Sequence, residues 1–232
     1  MYIISNPINQ DPFDRNIFKK SCNKLSNEIQ KILIEKANHV NPFNLKDLHK
    51  IISLEKLNSY RLACFEEINN IPNLKRLIYQ TVCPHILNLL GFDLAIQKNL
   101  NLSIQFPGDQ SSILNKHQDF VSGDSPFQKV IWIPITNAFS SNALHMTNKD
   151  NSYTPIKVSE NEFLIFDPNT VHGNIVNETN QTRISLNIRV KNWFAPDSGE
   201  YVPDRQFGIY YEDFCFSKST LRAFEIIKSQ GE

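Results

Sequence analysis

The spacing of apolar positions changes once along this chain, near residue 100. From about Arg15 to Leu90 it is helical: Leu25, Ile29, Ile32, Leu33 and Ala37 make one stripe, and Leu45, Leu48, Ile51 and Ile52 make another. Asn41-Pro42-Phe43-Asn44 and Asn69-Asn70-Ile71-Pro72-Asn73 interrupt the pattern, Pro84 is expected to bend or divide the last helix, and Gly91 to end it. Beyond Leu100 the period is two. Alternating segments at Leu102–Phe106, Val130–Pro134, Glu162–Phe166 and Arg183–Val190 predict strands, separated by turn-forming runs such as Pro107–Ser112, Ser122–Pro126 and Ser140–Asn142. From Ser217 to Lys228 helical spacing returns through Leu221, Phe224 and Ile227. The expectation is an α+β chain: a helical scaffold over about 15–97, an antiparallel barrel or sandwich over about 100–195, and a C-terminal extension over about 196–232 that carries a short helix. No linker, repeat or low-complexity tract separates these parts, so a single domain over 1–232 is expected.

Composition narrows the range of partners. With 232 residues, 41% of them hydrophobic, the chain can bury one sizeable core. Lys plus Arg balances Asp plus Glu at 24 each, and no basic run is present, so no field recruits nucleic acid or an anionic membrane. A small-molecule partner is expected. Cys22, Cys64, Cys83 and Cys215 lack metal or redox spacing and read as buried thiols. The opening residues show no signal-peptide pattern, and no apolar run approaches the roughly 18 residues of a spanning helix, which leads to the expectation of a soluble protein in a reducing cytoplasm. Asn177-Glu178-Thr179 and Asn180-Gln181-Thr182 match glycosylation sequons and are read as coincidental in that setting.

Three short motifs carry chemistry. His117-Gln118-Asp119 places an imidazole and a carboxylate at i and i+2, which on a strand share one face. Alone this triplet is a weak signal that composition can produce by chance. His172 follows the expected strand ending at Phe166 and the turn Asp167–Thr170, where a returning barrel strand would bring it beside the first pair. Two imidazoles and one carboxylate can hold a divalent metal on one face and leave the opposite positions open. Eleven residues beyond His172, the strand Arg183–Val190 sets Arg183, Ser185, Asn187 and Arg189 on one face and Ile184, Leu186, Ile188 and Val190 on the other. That polar face is either wet or a site. A guanidinium binds a carboxylate through two parallel hydrogen bonds, and a hydroxyl two residues on can add a third.

In order and spacing, His117-Gln118-Asp119, His172 and Arg183-Ile184-Ser185 resemble the signature of the Fe(II)- and 2-oxoglutarate-dependent dioxygenases. Together with Ile104–Asp109, Gly123–Phe127 and His172-Gly173-Asn174 they are similar to the phytanoyl-CoA hydroxylase-like branch, and within it to bacterial oxygenases of carbohydrate biosynthesis clusters. The resemblance covers roughly residues 100–195 and is silent on the helical half. It implies a double-stranded β-helix, a jelly-roll or cupin-like barrel, flanked by the N-terminal helices and the short C-terminal one. It implies Fe(II), 2-oxoglutarate as co-substrate and O2, with His117, Asp119 and His172 on the metal, and Arg183 and Ser185 on the distal carboxylate of 2-oxoglutarate. Gln105 and Trp132 are placed against the co-substrate, although Trp132 could equally be core and Gln105 solvated. Asn187 and Arg189 are candidates for the other 2-oxoglutarate carboxylate or an anionic substrate, against the alternative of an outer ion pair. Many members carry Gly-Ser-His where this chain has Ser141–Met146, so His145 is not assigned as a ligand. Asp119 occupies the position at which a small residue would admit halide, which disfavours halogenation.

The implied activity is oxidation of a small molecule, hydroxylation by default, with a sugar or nucleotide sugar as the expected substrate class; the neutral charge also admits a lipid-linked sugar or a free metabolite. Two rivals stand beside it. A metal-binding jelly roll without oxygenase activity, such as a cupin-type isomerase or sugar-binding module, could use the same His and Asp ligands but leaves Arg183 without a role. An inactive relative serving as a structural partner is opposed by the intact triad.

Overall fold

In a computed structural model of the chain, which describes residues 2–4, 12–39, 41–197 and 205–230, a helical layer packs against the larger of two antiparallel sheets. The elements are β1 (Tyr2–Ile4), α1 (Pro12–Ala37), α2 (Leu57–Asn69), α3 (Leu74–Leu90), β2 (Leu94–Gln97), β3 (Asn101–Gln105), β4 (Gln128–Pro134), β5 (Leu144–Thr147), β6 (Tyr153–Ile156), β7 (Phe163–Phe166), β8 (His172–Gly173), β9 (Arg183–Asn192), β10 (Tyr211–Cys215) and α4 (Lys218–Gln230). Among the described residues no helix is long and apolar enough to cross a membrane.

The helical half departs from its sequence pattern in two places. The stripe from Leu45 forms a 3-10 helix over Leu45–Lys50 rather than an α-helix; Asn44 caps it by accepting the Lys46 N–H at 3.1 Å, and Leu45 and Leu48, three apart, are buried together. Pro84 lies inside α3 without dividing it. A proline in a helix interior costs about 3 kcal/mol, but Thr81, Val82, Cys83, His85 and Ile86 around it are all buried, and that packing holds the helix together. Gly91 ends α3 as its sequence suggests, with φ at 84° and its N–H returned to Leu87 O at 2.8 Å.

The larger sheet runs β1-β7-β4-β9-β2-β10, with β3 pairing on β9; the smaller runs β6-β5-β8. The sequence pattern does not show strands β1, β2, β5, β6 and β10, whereas β8 lies where the returning strand at His172 is expected. They are two to five residues long, and β2 lies within the stretch expected to be helical scaffold.

Alternation along β4 and β9 gives the large sheet two buried faces. Ile131, Ile133, Ile184, Leu186, Ile188 and Val190 join Leu25, Ile29, Leu33, Ile78, Val82 and Ile86 in one core against the helices. Val130, Trp132, Leu164 and Phe166 point the other way and meet Leu144, Met146 and Ile156 of the small sheet in a second core. Each such side chain contributes about 1.5–3 kcal/mol on burial, so neither face of β4 or β9 can slip register without exposing a row of them. The polar face of β9 therefore lies between the two sheets rather than in water: Arg183, Ser185 and Arg189 are buried. The start of β9 is tied to the 3-10 helix by Thr182 N–H to Lys46 O at 2.7 Å and by His49 on the Thr182 hydroxyl at 3.0 Å. Asn69 closes the other junction, exchanging side-chain hydrogen bonds with the backbone of Leu100 at 2.7 and 3.1 Å just before β3.

His85 of α3 is buried beside Phe163, ring centroids 5.3 Å apart, and burial lowers its pKa to about 4. Unfolded, it would titrate near 6.5, so between those values the unfolded chain binds more protons. Its contribution is fully present above pH 6.5 and is lost as pH falls toward 4, amounting to about 3 kcal/mol across that window. Urea unfolding at several pH values should show wild type losing this much more stability than His85→Leu on acidification; a gap independent of pH would count against it.

Candidate metal centre

The segment carrying His117 and Asp119 is not the strand that the triplet suggests. His117 makes an isolated antiparallel bridge with His172 of β8, the two residues exchanging both backbone hydrogen bonds at 2.9 Å. Asp119 opens a turn instead, its carbonyl accepting the N–H groups of Ser122 and Asp124 at 3.0 and 3.2 Å. Local tertiary pairing, rather than strand alternation, thus brings these side chains together. On the other side, Met146 of β5 pairs with His172, and Thr147 N–H reaches Val171 O at 3.0 Å.

The three ligand atoms lie within 4.8 Å of one another. Asp119 Oδ1 is 3.2 Å from His117 Nε2 and 3.7 Å from His172 Nε2. Neighbouring donors around an octahedral ion with bonds of about 2.1 Å are about 3 Å apart, so the trio is already close to metal spacing. The outer ring nitrogens are engaged as well. His117 Nδ1 donates to Asn115 O and His172 Nδ1 to Thr170 O, each at 2.9 Å, which leaves both Nε2 atoms facing Asp119. Burial favours the neutral form of His172 and lowers its pKa. For Asp119, burial acts upward, but the His117 hydrogen bond and the Arg189 charge outweigh it and hold the carboxyl below its usual range. Asp119 Oδ1 in turn raises the pKa of His117. A buried carboxylate beside a neutral imidazole and a half-buried one is a donor set suited to a divalent cation.

The two imidazoles open onto a cavity of about 200 Å³ between the sheets, walled by Trp132, Leu144 and Phe166. Arg183 lines its far part. The guanidinium donates to Ser103 Oγ at 3.1 Å, Ser185 Oγ at 2.8 Å and Gln105 Oε1 at 3.2 Å, while its Nε has no hydrogen-bond partner among the described residues. All of these partners are neutral. Burial lowers its pKa to about 10, and Arg61 of α2 pushes the same way, yet it stays a cation at neutral pH. Ser103, Ser185 and Gln105 together hold the Arg183 guanidinium. Gln105 is itself fixed through Nε2 to Ile175 O at 2.6 Å, so it is buried rather than solvated.

Asn187 and Arg189 also line the cavity. Arg189 is buried and paired, with Nη2 on Asp119 Oδ2 and Nε on Asp124 Oδ2, both at 2.8 Å. The structure also brings in residues that the motifs do not single out. Ser103 sits opposite Ser185 across β3 and β9, and its alternation with Gln105 is the one signal that pointed to it. Asn174 ties the His117 segment down by accepting the Leu114 N–H and donating to Ser112 O at 2.9 Å. His145 faces away from this cavity, its ring 5.4 Å from Tyr153 and its Nδ1 on Ala143 O at 3.0 Å. The sequon residue Asn177 is fully buried.

Next to His172, Gly173 passes so close to the His117 segment that an added Cβ would lie 2.6 Å from Leu114 O and 2.8 Å from the Tyr153 hydroxyl. Gly173→Ala should therefore push that segment away, costing about 1–3 kcal/mol and weakening metal binding at least tenfold. Thermal unfolding and titration with Fe(II) or Co(II) check both; wild-type metal affinity in the variant would show that the close approach does not position the ligands.

No protein-family model matches the chain. Over 96 residues it is 32% identical to the streptomycin biosynthesis protein StrG of Streptomyces griseus, a match covering 41% of this chain and 43% of that protein. The chain thus spans less than half the length of this curated relative. Among solved structures, the non-heme monooxygenase ThoJ in its apo form aligns with a TM-score of 0.55 at 14% identity, over 79% of this chain and 74% of ThoJ. CytC3 with Fe(II) and alpha-ketoglutarate aligns with a TM-score of 0.50 at 16% identity, over 84% of this chain and 78% of CytC3. At these identities the likeness is one of fold, and the fold is that of non-haem iron, 2-oxoglutarate-dependent oxygenases.

Proposed function

We propose that this chain is a non-haem Fe(II)- and 2-oxoglutarate-dependent oxygenase that hydroxylates a small molecule, with His117, Asp119 and His172 as the iron ligands and Arg183 as the anchor for the distal carboxylate of 2-oxoglutarate. The observation that carries this reading is Arg183. A buried cation is costly unless an anion meets it, and the partners of this guanidinium among the described residues are neutral. It faces the same cavity as His117 and His172. A dicarboxylate that reaches the metal with one end and Arg183 with the other satisfies both. A metal-binding module without this co-substrate leaves Arg183 unexplained.

Bound Fe(II), with 2-oxoglutarate and O2, would supply the oxidising chemistry, releasing succinate and CO2. The chain's own residues bind and orient. Arg183 and Ser185, with Ser103, give the distal carboxylate a bidentate and hydroxyl cradle. Gln105 holds the guanidinium in plane from behind. Trp132, Phe166 and Leu144 exclude water from the space between metal and anchor. The two sheets are read as the faces of a double-stranded β-helix, and the core shared by helices and large sheet supports a single domain. Asp119 keeps the carboxylate position filled and favours hydroxylation over halogenation. The likeness to a protein of streptomycin biosynthesis supports a carbohydrate substrate, free or carried on a nucleotide.

Anaerobic titration of the Fe(II) protein with 2-oxoglutarate should produce a visible metal-to-ligand charge-transfer band. In Arg183→Ala the 2-oxoglutarate affinity should fall about 100-fold or more, the loss of a charge-assisted bidentate contact worth about 3 kcal/mol. Iron content should drop in both Asp119→Ala and His172→Ala. A wild-type protein with no band and no succinate release in air, screened with nucleotide-linked sugars, overturns the reading; unchanged iron in both ligand variants overturns the ligand assignment.

A further inference from the structure

The Asp119 carboxylate has two oxygens with different surroundings. Oδ1 faces the two imidazoles at 3.2 and 3.7 Å. Oδ2 is turned away from them and accepts a hydrogen bond from Arg189 Nη2 at 2.8 Å. The guanidinium is itself immobilised, with Nε on Asp124 Oδ2 at 2.8 Å and Nη1 on Asn187 Oδ1 at 3.3 Å. Asp124 is fully buried in turn, held by Gln128 Nε2 at 3.1 Å and by Arg205 at 3.3 Å, and Gln128 is held by the Tyr211 hydroxyl. Asp119 and Asp124 are also the two ends of one turn, joined by the Asp124 N–H to Asp119 O bond. One arginine on β9 therefore grips both ends of the turn that presents the ligand.

We propose that Arg189 is a positioning residue that keeps Asp119 a one-oxygen ligand, and so keeps one coordination position free that a two-oxygen carboxylate would close. The proposal rests on the oxygenase reading. A carboxylate can bind a cation through one oxygen or both. With Oδ1 alone, the two imidazoles and Asp119 take three of six positions, leaving two for a chelating 2-oxo acid and one for O2. With both oxygens, only two remain, and the chelating co-substrate fills them. The hydrogen bond and ion pair on Oδ2 oppose that second contact, because Oδ2 cannot turn to the metal without leaving a buried guanidinium half-paired. This role also accounts for the arginine lying at the cavity wall with its nitrogens committed to the protein rather than extended toward a substrate.

Nitric oxide, an O2 surrogate that gives an electron paramagnetic resonance signal on Fe(II), reads the open position. The probes are Fe(II) alone and Fe(II) with 2-oxoglutarate, on wild type, Arg189→Met, Arg189→Lys, and Arg189→Met combined with Asp124→Asn, which removes the repulsion between carboxylates that the single change leaves facing each other. Expected is an Fe(II) affinity within about tenfold of wild type in the folded variants, a nitrosyl signal with Fe(II) alone, and at least a tenfold loss of that signal once 2-oxoglutarate is added. Arg189→Lys, which can still reach one carboxylate, should recover part of it. Wild-type nitrosyl signal with 2-oxoglutarate in the Met variants overturns the proposal. So does loss of Fe(II) binding in the Met and Lys variants alike with circular dichroism unchanged, which would make Arg189 a determinant of affinity instead. A wild-type protein that binds no 2-oxoglutarate fails the oxygenase reading itself, whereas wild-type binding with indifferent Arg189 variants fails only this inference.

Discussion

Removing a guanidinium from water without an anion to meet it costs several kcal/mol, and this chain does so with Arg183 between two packed sheets. The surrounding structure is arranged to hold that cation in place. Ile184, Leu186, Ile188 and Val190 bury the opposite edge of the same strand against the helices, so β9 cannot rotate Arg183 outward without exposing them. Thr182 anchors the start of the strand, and Ser103, Ser185 and Gln105 hold the guanidinium with neutral oxygens. Three neutral acceptors orient the charge without cancelling it. Its field is left for whatever anion enters the cavity.

The metal donors are built in the opposite way. No regular strand carries His117 or Asp119, and their geometry comes from paired backbone hydrogen bonds across the His117–His172 bridge, a turn closed on the Asp119 carbonyl, and carbonyls that fix each ring nitrogen. Such a site is preorganised by many weak contacts rather than by one stiff element. Gly173 shows how little slack it has, since the neighbouring segment comes within contact of its missing Cβ. Arg189 links the two halves of the site. It stands six residues along the same strand face from Arg183, so one strand carries both the guanidinium left with neutral partners and the guanidinium paired with Asp119.

Much of this was legible in the sequence, for reasons that can be named. A strand of eight or more alternating residues such as Arg183–Val190 carries its own register, and the helical stripes through Leu25, Ile29 and Leu33 do the same for α1. Short strands do not: β2 and β10 hold four and five residues and pair with segments far away in the chain, while β5 and β6, four residues each, form a hairpin whose other edge rests on β8. Pro84 does not divide α3, because a local penalty of a few kcal/mol was outweighed by the burial of Thr81, Val82, Cys83, His85 and Ile86 around it. The His-x-Asp triplet pointed to two side chains that the structure does bring together with His172, but through an isolated bridge and a turn rather than along a strand.

By itself the sequence determined which residue types could form a metal site with an anion anchor, and which face of β9 would be polar, because side-chain chemistry and a two-residue period are local properties. Whether that polar face was wet, and what each group on it met, only the tertiary structure decided. Burial and ion pairing depend on segments brought together from distant parts of the chain. Arg183 and Arg189 show the difference: identical side chains on one strand face, one left with neutral partners, the other committed to two carboxylates contributed by a turn some sixty-five residues earlier.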